Sequence, residues 1–293
     1  MTKACTSTQE DVDDDLQGTR TVKVATPLSA SIARAKEIGA MLLDPAYEAS
    51  SIRLRDLGIT PDRHPGIASD DLCSMGTVIT EESGGSLRTF SGGLPHVCGW
   101  WPGWKSRRIQ HWEGMPAFDH LIAAECDQTV DWIQSEGIGF RFSLDRKRFG
   151  YTADADMRID GRRHVVEIKR TERDLRKPEY LLKLAAVAEI CRRCGWIFRI
   201  VLADEIFVGR HHRENAERFA MRRFAHVSRQ HVARLEAFAT KHGPEATYWD
   251  VSKVLSPRCI EAGEAVLQAL FIQRRVSMDL TRRVHPNSPV RIL

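Results

Sequence analysis

From Tyr151 to Ile159 apolar and polar positions alternate, with Thr152, Asp154 and Asp156 on one side and Ala153, Ala155 and Met157 on the other. That is the period of a half-buried strand with acids on its open face. Asp160-Gly161 follows, a strong hairpin signal because such a turn needs residues that tolerate positive φ. His164 to Lys169 then resumes the alternation, so Glu167 and Lys169 share a face with Val166 and Ile168 beneath them. Met115 to Cys126 follows a longer period through Met115, Phe118, Leu121, Ile122 and Ala124, which predicts a helix with Pro116 in its first turn. Pro178 opens a second amphipathic helix through Leu181, Leu184, Val187, Ala188 and Cys191, closed by Gly195 as a left-handed residue. Val130–Ile133, Gly139–Leu144 and Trp196–Leu202 are expected strands. Strand, crossover helix, strand is the parallel unit of an α/β sheet.

Upstream, helices are expected over Ser31–Leu43 and Tyr47–Leu57, then loops to about Pro95 with one brief strand at Met75–Thr80. Downstream of Ile206 the pattern predicts helices over Asn215–Arg223, Arg229–Lys241, Tyr248–Leu255 and Ala262–Phe271. Short strands at Arg275–Leu280 and Val290–Leu293 would complete a small winged module with a basic hairpin.

With 293 residues, 42% hydrophobic and 28% charged, the chain has the composition of a globular protein with room for two or three domains. The net charge of +4 is unevenly spread: residues 1–20 hold two basic and five acidic side chains, and residues 205–293 hold fifteen basic against nine acidic. The first stretch reads as a mobile acidic tail, the second as a surface for a polyanion. Seven scattered cysteines, no secretory apolar segment and no long apolar run are expected of a reduced, cytoplasmic protein that does not enter a membrane. Cys191 and Cys194 form a lone CxxC inside a helical pattern, the mark of structural thiols. Residues 98–112 interleave four tryptophans with Lys105, Arg107 and Arg108. Such a stretch grips a phosphate backbone or stacks on unpaired bases, or else plugs the edge of the core; in either case the tryptophans are expected inside and the cations outside.

The candidate chemistry lies on the hairpin. Asp154 and Glu167 on adjacent strands, with Lys169 two residues beyond the second acid, make a hard-oxygen site for Mg²⁺ with a fixed positive charge beside it. Such a site suits phosphodiester hydrolysis, the cation polarising the phosphate and the lysine orienting the water. The plainer alternative is a charged, solvent-facing hairpin.

The order helix, antiparallel strands carrying Asp and Glu-x-Lys, crossover helix and strand resembles the restriction-endonuclease-like, or PD-(D/E)xK, nucleases. Within them the chain resembles the TnsA-type endonucleases, the donor-cutting subunits of heteromeric transposases. The resemblance rests on Tyr151-Thr152-Ala153-Asp154, His164-Val165-Val166-Glu167-Ile168-Lys169, Pro178-Glu179-Tyr180, the run Gly195–Val201 with Asp204-Glu205-Ile206, and Asp127–Ile133. It covers about residues 105–206. It implies a mixed sheet flanked by helices and a Mg²⁺-dependent DNA endonuclease, with Mn²⁺ able to substitute. Asp154, Glu167 and the Ile168 carbonyl would hold the metal and Lys169 would assist the attacking water. The implied partners are double-stranded DNA, a transposase subunit and an ATPase. The implied division is 1–95 as tail and helical or loop region, 96–206 as endonuclease domain and 207–293 as basic helical domain for DNA or partner. In the family a further glutamate opens the first helix, where this chain has Ala117; Glu113, one turn earlier, is the candidate replacement. The rival readings are another nuclease of the superfamily, in phage processing or restriction, and a catalytically impaired DNA-binding or assembly subunit.

Overall fold

A four-stranded mixed sheet lies at the centre of the computed structural model, which describes residues 76–80, 85–88, 97–144 and 147–293. The helices expected over Ser31–Leu43 and Tyr47–Leu57, and the tail expected over residues 1–20, lie outside the described residues. The sheet contains β4 (Val130–Ser135), β7 (Ala155–Ile159), β8 (Arg162–Lys169) and β9 (Ile197–Leu202), in that spatial order. The β4–β7 and β7–β8 pairs are antiparallel and β8–β9 is parallel. Asp160 and Gly161 join β7 to β8 with φ of 48° and 78°, both positive as a tight hairpin turn demands.

Helix α1 (Met115–Cys126) covers one face of this sheet and α2 (Pro178–Arg193), the crossover between β8 and β9, covers the other. Residues alternate accordingly along β8: Val166 and Ile168 join the core with Leu121 and Ile122 of α1, and Val165 joins the core with Leu184 and Ala188 of α2. A central strand covered on both faces buries nearly every side chain, which explains the unbroken burial from His164 to Ile168. Gly195 closes α2 at a φ of 71°, as its position predicts. Cys191 is buried and Cys194 half-buried beside Arg163, with burial raising both thiols.

One stretch that the alternation marks as a single strand is two. Tyr151 and Thr152 end β6 (Lys147–Thr152), which pairs with β5 (Ile138–Leu144) and through it with β1 (Gly76–Thr80) in a separate sheet. The break falls at Ala153, whose N–H donates to the Ile138 carbonyl at 3.0 Å, so the chain changes sheets without losing its period of two. The tryptophan-rich stretch, for which no strand was expected, forms a hairpin of β2 (Cys98–Pro102) and β3 (Ile109–Glu113).

After β9 the chain forms α3 (Gly209–Met221), α4 (Arg229–His242), α5 (Tyr248–Leu255) and α6 (Ile260–Ile272). A small sheet joins β11 (Val276–Ser277) and β12 (Pro289–Ile292), the expected C-terminal strands, to β10 (Glu245–Thr247) in the order β10–β12–β11. Gly263 lets α6 approach α5 closely, since a Cβ there would lie 2.0 Å from the Ser252 carbonyl oxygen. Residues on the two sides of position 206 share one core: Leu121 and Ile122 pack in the same cluster as Phe219, Leu267 and Leu270. Arg213 grips the Asp119 carboxylate through two 2.9 Å bonds, and the Gln128 amide donates to the Phe271 and Val276 carbonyls. The fold is mixed α/β, and among the described residues no helix is long and apolar enough to cross a membrane.

Candidate active site

The β7–β8 ladder runs from Ile159↔Arg162 to Ala155↔Val166, and there β7 ends. Because the chain before Ala155 has crossed to the other sheet, Glu167, Ile168 and Lys169 keep β9 on one side and face a fork on the other. Asp154 stands at the fork. Its carboxylate accepts the Ile168 N–H at 2.7 Å, replacing the strand carbonyl that β7 no longer supplies. The Ile168 carbonyl faces the same gap and accepts from Lys169 Nζ at 3.2 Å. Residues that alternate in a strand bond alternate neighbours, so both polar groups of the Ile168 peptide point into the fork, while the Lys169 carbonyl accepts from Ala203 on the β9 side.

Glu167 is 3% exposed and held by three donors. One of its oxygens accepts from the Tyr151 hydroxyl, the other from the Tyr180 hydroxyl and from Lys169 Nζ. Burial and the Glu167 charge push both phenols above the ordinary tyrosine range, so each keeps its proton and acts as a donor. Burial first, and the Glu167 charge second, raise Asp154 to about 7; Lys169 and the Ile168 N–H pull it back down. Asp156, which shares the alternation with Asp154, stands apart from this group in an ion pair with Arg163, whose guanidinium lies 4.3 Å from the Trp196 ring.

An open cleft of about 730 Å³ lies against the fork, lined by Asp154, Ile168 and Lys169. Glu113, at the end of β3, lines the same cleft together with Ala117 and His120 of α1. Burial lowers His120 to about 4, leaving its ring neutral. Arg88, Arg170, Arg173 and Lys177 stand on the walls of the cleft, together with Asp174 and Glu136. A second cavity of about 560 Å³ shares Asp154, Lys169, Tyr180 and Arg88, and adds Glu167, Arg141 and Lys183.

Several residues here carry no signal in the pattern of the chain. Glu136 sits in the turn between β4 and β5 at a φ of 48°, donates its N–H to the Asp154 carbonyl at 3.0 Å, and adds to the upward pressure on Asp154. Its carboxylate accepts from Ser86 and Arg88 at 3.3 Å and lies 3.6 Å from His111 Nδ1. Unlike Asp160, a glutamate carries no preference for positive φ, so nothing in the sequence marks this turn. Tyr151 and Tyr180 belong to stretches that carry the family resemblance, but nothing in their spacing marks them as partners of Glu167.

The tryptophan-rich hairpin departs from expectation at two points. Trp101 is buried under Arg223 and Trp104 is half-buried, but Trp100 is 60% exposed. Lys105 turns inward to cap the end of α1, donating to the Ala124 and Asp127 carbonyls, and burial lowers it to about 8. Carbonyls at a helix C-terminus lack partners of their own, which explains why a lysine is drawn in.

Among the described residues no three His, Cys, Asp or Glu side chains converge closely enough to hold a metal ion. The donors gathered at the fork are two carboxylates and one carbonyl. No protein-family model matches the chain, and no curated protein matches it.

Proposed function

We propose that the chain is a metal-dependent DNA endonuclease of the PD-(D/E)xK kind, acting as the donor-strand-cutting subunit of a heteromeric transposase of the TnsA type. The observation that supports this most is the fork at the end of β7 and β8, where Asp154, Glu167, the Ile168 carbonyl and Lys169 meet beside an open cleft edged by arginines and lysines. The donor chemistry fits Mg²⁺, or Mn²⁺ in its place: hard oxygens, and an Asp154 carboxyl whose ionisation is opposed by a neighbouring carboxylate and would be eased by a cation. Asp154, the free lone pair of Glu167 and the Ile168 carbonyl would hold the ion, which would supply polarisation of the scissile phosphate and a more acidic water.

The chain's own groups do the rest. Lys169 holds the attacking water, or steadies the charge that grows on the phosphate oxygens. Arg88, Arg170, Arg173 and Lys177 hold the backbone phosphates on either side. Water adds to phosphorus, the bond to one sugar oxygen breaks, and that oxygen leaves with a proton as a hydroxyl end opposite a phosphate monoester. A partner transposase and an ATPase would present the duplex.

A second reading has an observation of its own. Ala117 lines the cleft where the family has a glutamate, and Glu167 is engaged by three donors; both favour a DNA-binding or assembly subunit with impaired cutting. Supercoiled plasmid with Mn²⁺ or Mg²⁺ separates the two. Nicking that disappears in Asp154→Asn and Glu167→Gln supports the nuclease; binding of DNA without nicking, alone and with transposase and ATPase subunits, supports the second reading.

A further inference from the structure

We infer that Trp100 is a stacking platform for an unpaired base of the DNA strand that enters the cleft, so that the preferred substrate is a duplex opened next to the cut. This rests on the nuclease reading and adds the form of the substrate to it. β2 alternates, so Trp101 faces inward at 4% exposure and Trp100 outward at 60%. Trp100 does not stand alone: Ile109, 66% exposed, lies on the same face of the hairpin, and a contiguous exposed apolar strip calls for an occupant. The β2–β3 register sets Trp100 opposite His111. The two rings meet edge to face with centroids 5.4 Å apart, and His111 lines the cleft with Asp154. The indole is therefore one ring away from the cleft. Its backbone is stiff, being tied to the buried Trp101 and paired along the whole hairpin.

The exposed charge of the hairpin selects the occupant. Arg107 and Arg108 are exposed at its tip, Lys105 is turned inward, and Glu113, on the same face as Trp100, is half-buried against the cleft. A docked protein surface matches mixed charge, whereas an exposed indole on a hairpin tipped by two exposed arginines, one ring from the cleft, matches a nucleic-acid strand with a base out of its stack. Exposed Ile109, on the same face of the hairpin, extends the apolar strip on which that base would lie.

Binding of the full chain is measured with Ca²⁺ in place of Mg²⁺, on a forked duplex carrying 2-aminopurine at the unpaired position next to the junction and on a fully paired duplex of the same sequence. The wild type should bind the fork more tightly and quench the probe. Trp100→Ala should weaken fork binding about tenfold or more, by a larger factor than for paired duplex, and should abolish the quenching. Trp100→Phe, which keeps a ring, should retain most of both. Equal loss on the two duplexes, or no loss on either, overturns the inference and leaves the nuclease reading standing. A change in oligomeric state with fork binding intact would make this face a protein interface and likewise overturns it. A wild type that binds no DNA of either form overturns the nuclease reading itself.

Discussion

Tyr180, in the first turn of α2, donates its hydroxyl proton to the Glu167 oxygen that Lys169 also contacts. A carboxylate oxygen has two lone pairs, so this oxygen is fully engaged by the chain itself, while the other accepts from Tyr151 and keeps one pair free. Tyr180 thus competes with any cation for Glu167. Tyr180→Phe should tighten Mn²⁺ binding in a calorimetric titration, at a cost of about 1.5–3 kcal/mol in stability for the lost hydrogen bond to a charged group. Weaker Mn²⁺ binding would mean instead that the phenol orients the carboxylate for its ligand. The same geometry makes Glu167→Gln the informative variant: Glu167→Ala strands the buried Tyr151 phenol and the half-buried Tyr180 phenol and confuses folding with chemistry.

The raised carboxyl of Asp154 makes the fold's stability depend on pH. Unfolded, the group titrates near its ordinary value of 3.8; folded, it titrates at about 7. The folded state therefore holds a proton that the unfolded state has lost, and stability present below pH 4 is lost progressively up to pH 7. Asp154→Asn keeps an oxygen for the Ile168 N–H and carries no charge. Melts in EDTA should show it gaining on the wild type between about pH 4 and 7, then holding a constant advantage on the order of a few kcal/mol. A pH-independent difference would remove Asp154 from this role. Mn²⁺ affinity of the wild type should run the other way, rising with pH and levelling above about 7, because binding must displace the same proton.

Residues after position 206 complete the core that α1 begins, since Phe219, Leu267 and Leu270 pack in one cluster with Leu121 and Ile122. A chain ending at 206 should lose its cooperative thermal transition, and loss of DNA binding in it would say nothing about the basic surface. Charge reversal within the full chain is the cleaner probe. Arg282→Glu with Arg283→Glu, both on exposed residues next to the C-terminal sheet, should leave the melt unchanged, weaken duplex binding and flatten its salt dependence. An unchanged salt slope would move the phosphate contacts elsewhere, with Arg170, Arg173 and Lys177 at the cleft the next to be tested.

Local signals proved sufficient for the parts of the fold that local physics decides. Asp160-Gly161 marks its turn, Pro116 and Pro178 mark the openings of α1 and α2, and Gly195 marks the end of α2. What the pattern hid was the change of sheet at Ala153, because a strand that leaves one partner for another keeps its period of two. That hidden break makes the fork, so Asp154, Glu167 and Lys169 were legible as residues while the gap between their strands was not. Glu136, Arg88 and the two tyrosines act through long-range contacts that no spacing records. The exposed Trp100 and the half-buried, inward-turned Lys105 reverse what composition leads one to expect, each because of its place: the outer face of a hairpin, and the bare carbonyls at the end of α1.

On the proposed nuclease reading a third acid would accompany Asp154 and Glu167, and three residues bear on it. Glu113 and Ala117 both line the cleft, but Glu136, not Glu113, is among the strongest charges acting on Asp154. Glu136 is also bound to Asp154 through the backbone and held by Arg88 and Ser86, so its carboxylate is fixed beside the fork. A ligand or charge placed by rigid elements acts more reliably than one on a free side chain. Glu136→Gln should therefore reduce Mn²⁺-dependent nicking at least tenfold, a loss of about 1.4 kcal/mol or more in transition-state stabilisation, and Glu113→Gln should change it little. Ala117→Glu would place a carboxylate in the first turn of α1, on the wall of the same cleft, and should raise nicking and Mn²⁺ affinity together. Loss of nicking in Glu113→Gln with none in Glu136→Gln would reverse the assignment and make Glu113 the third acid.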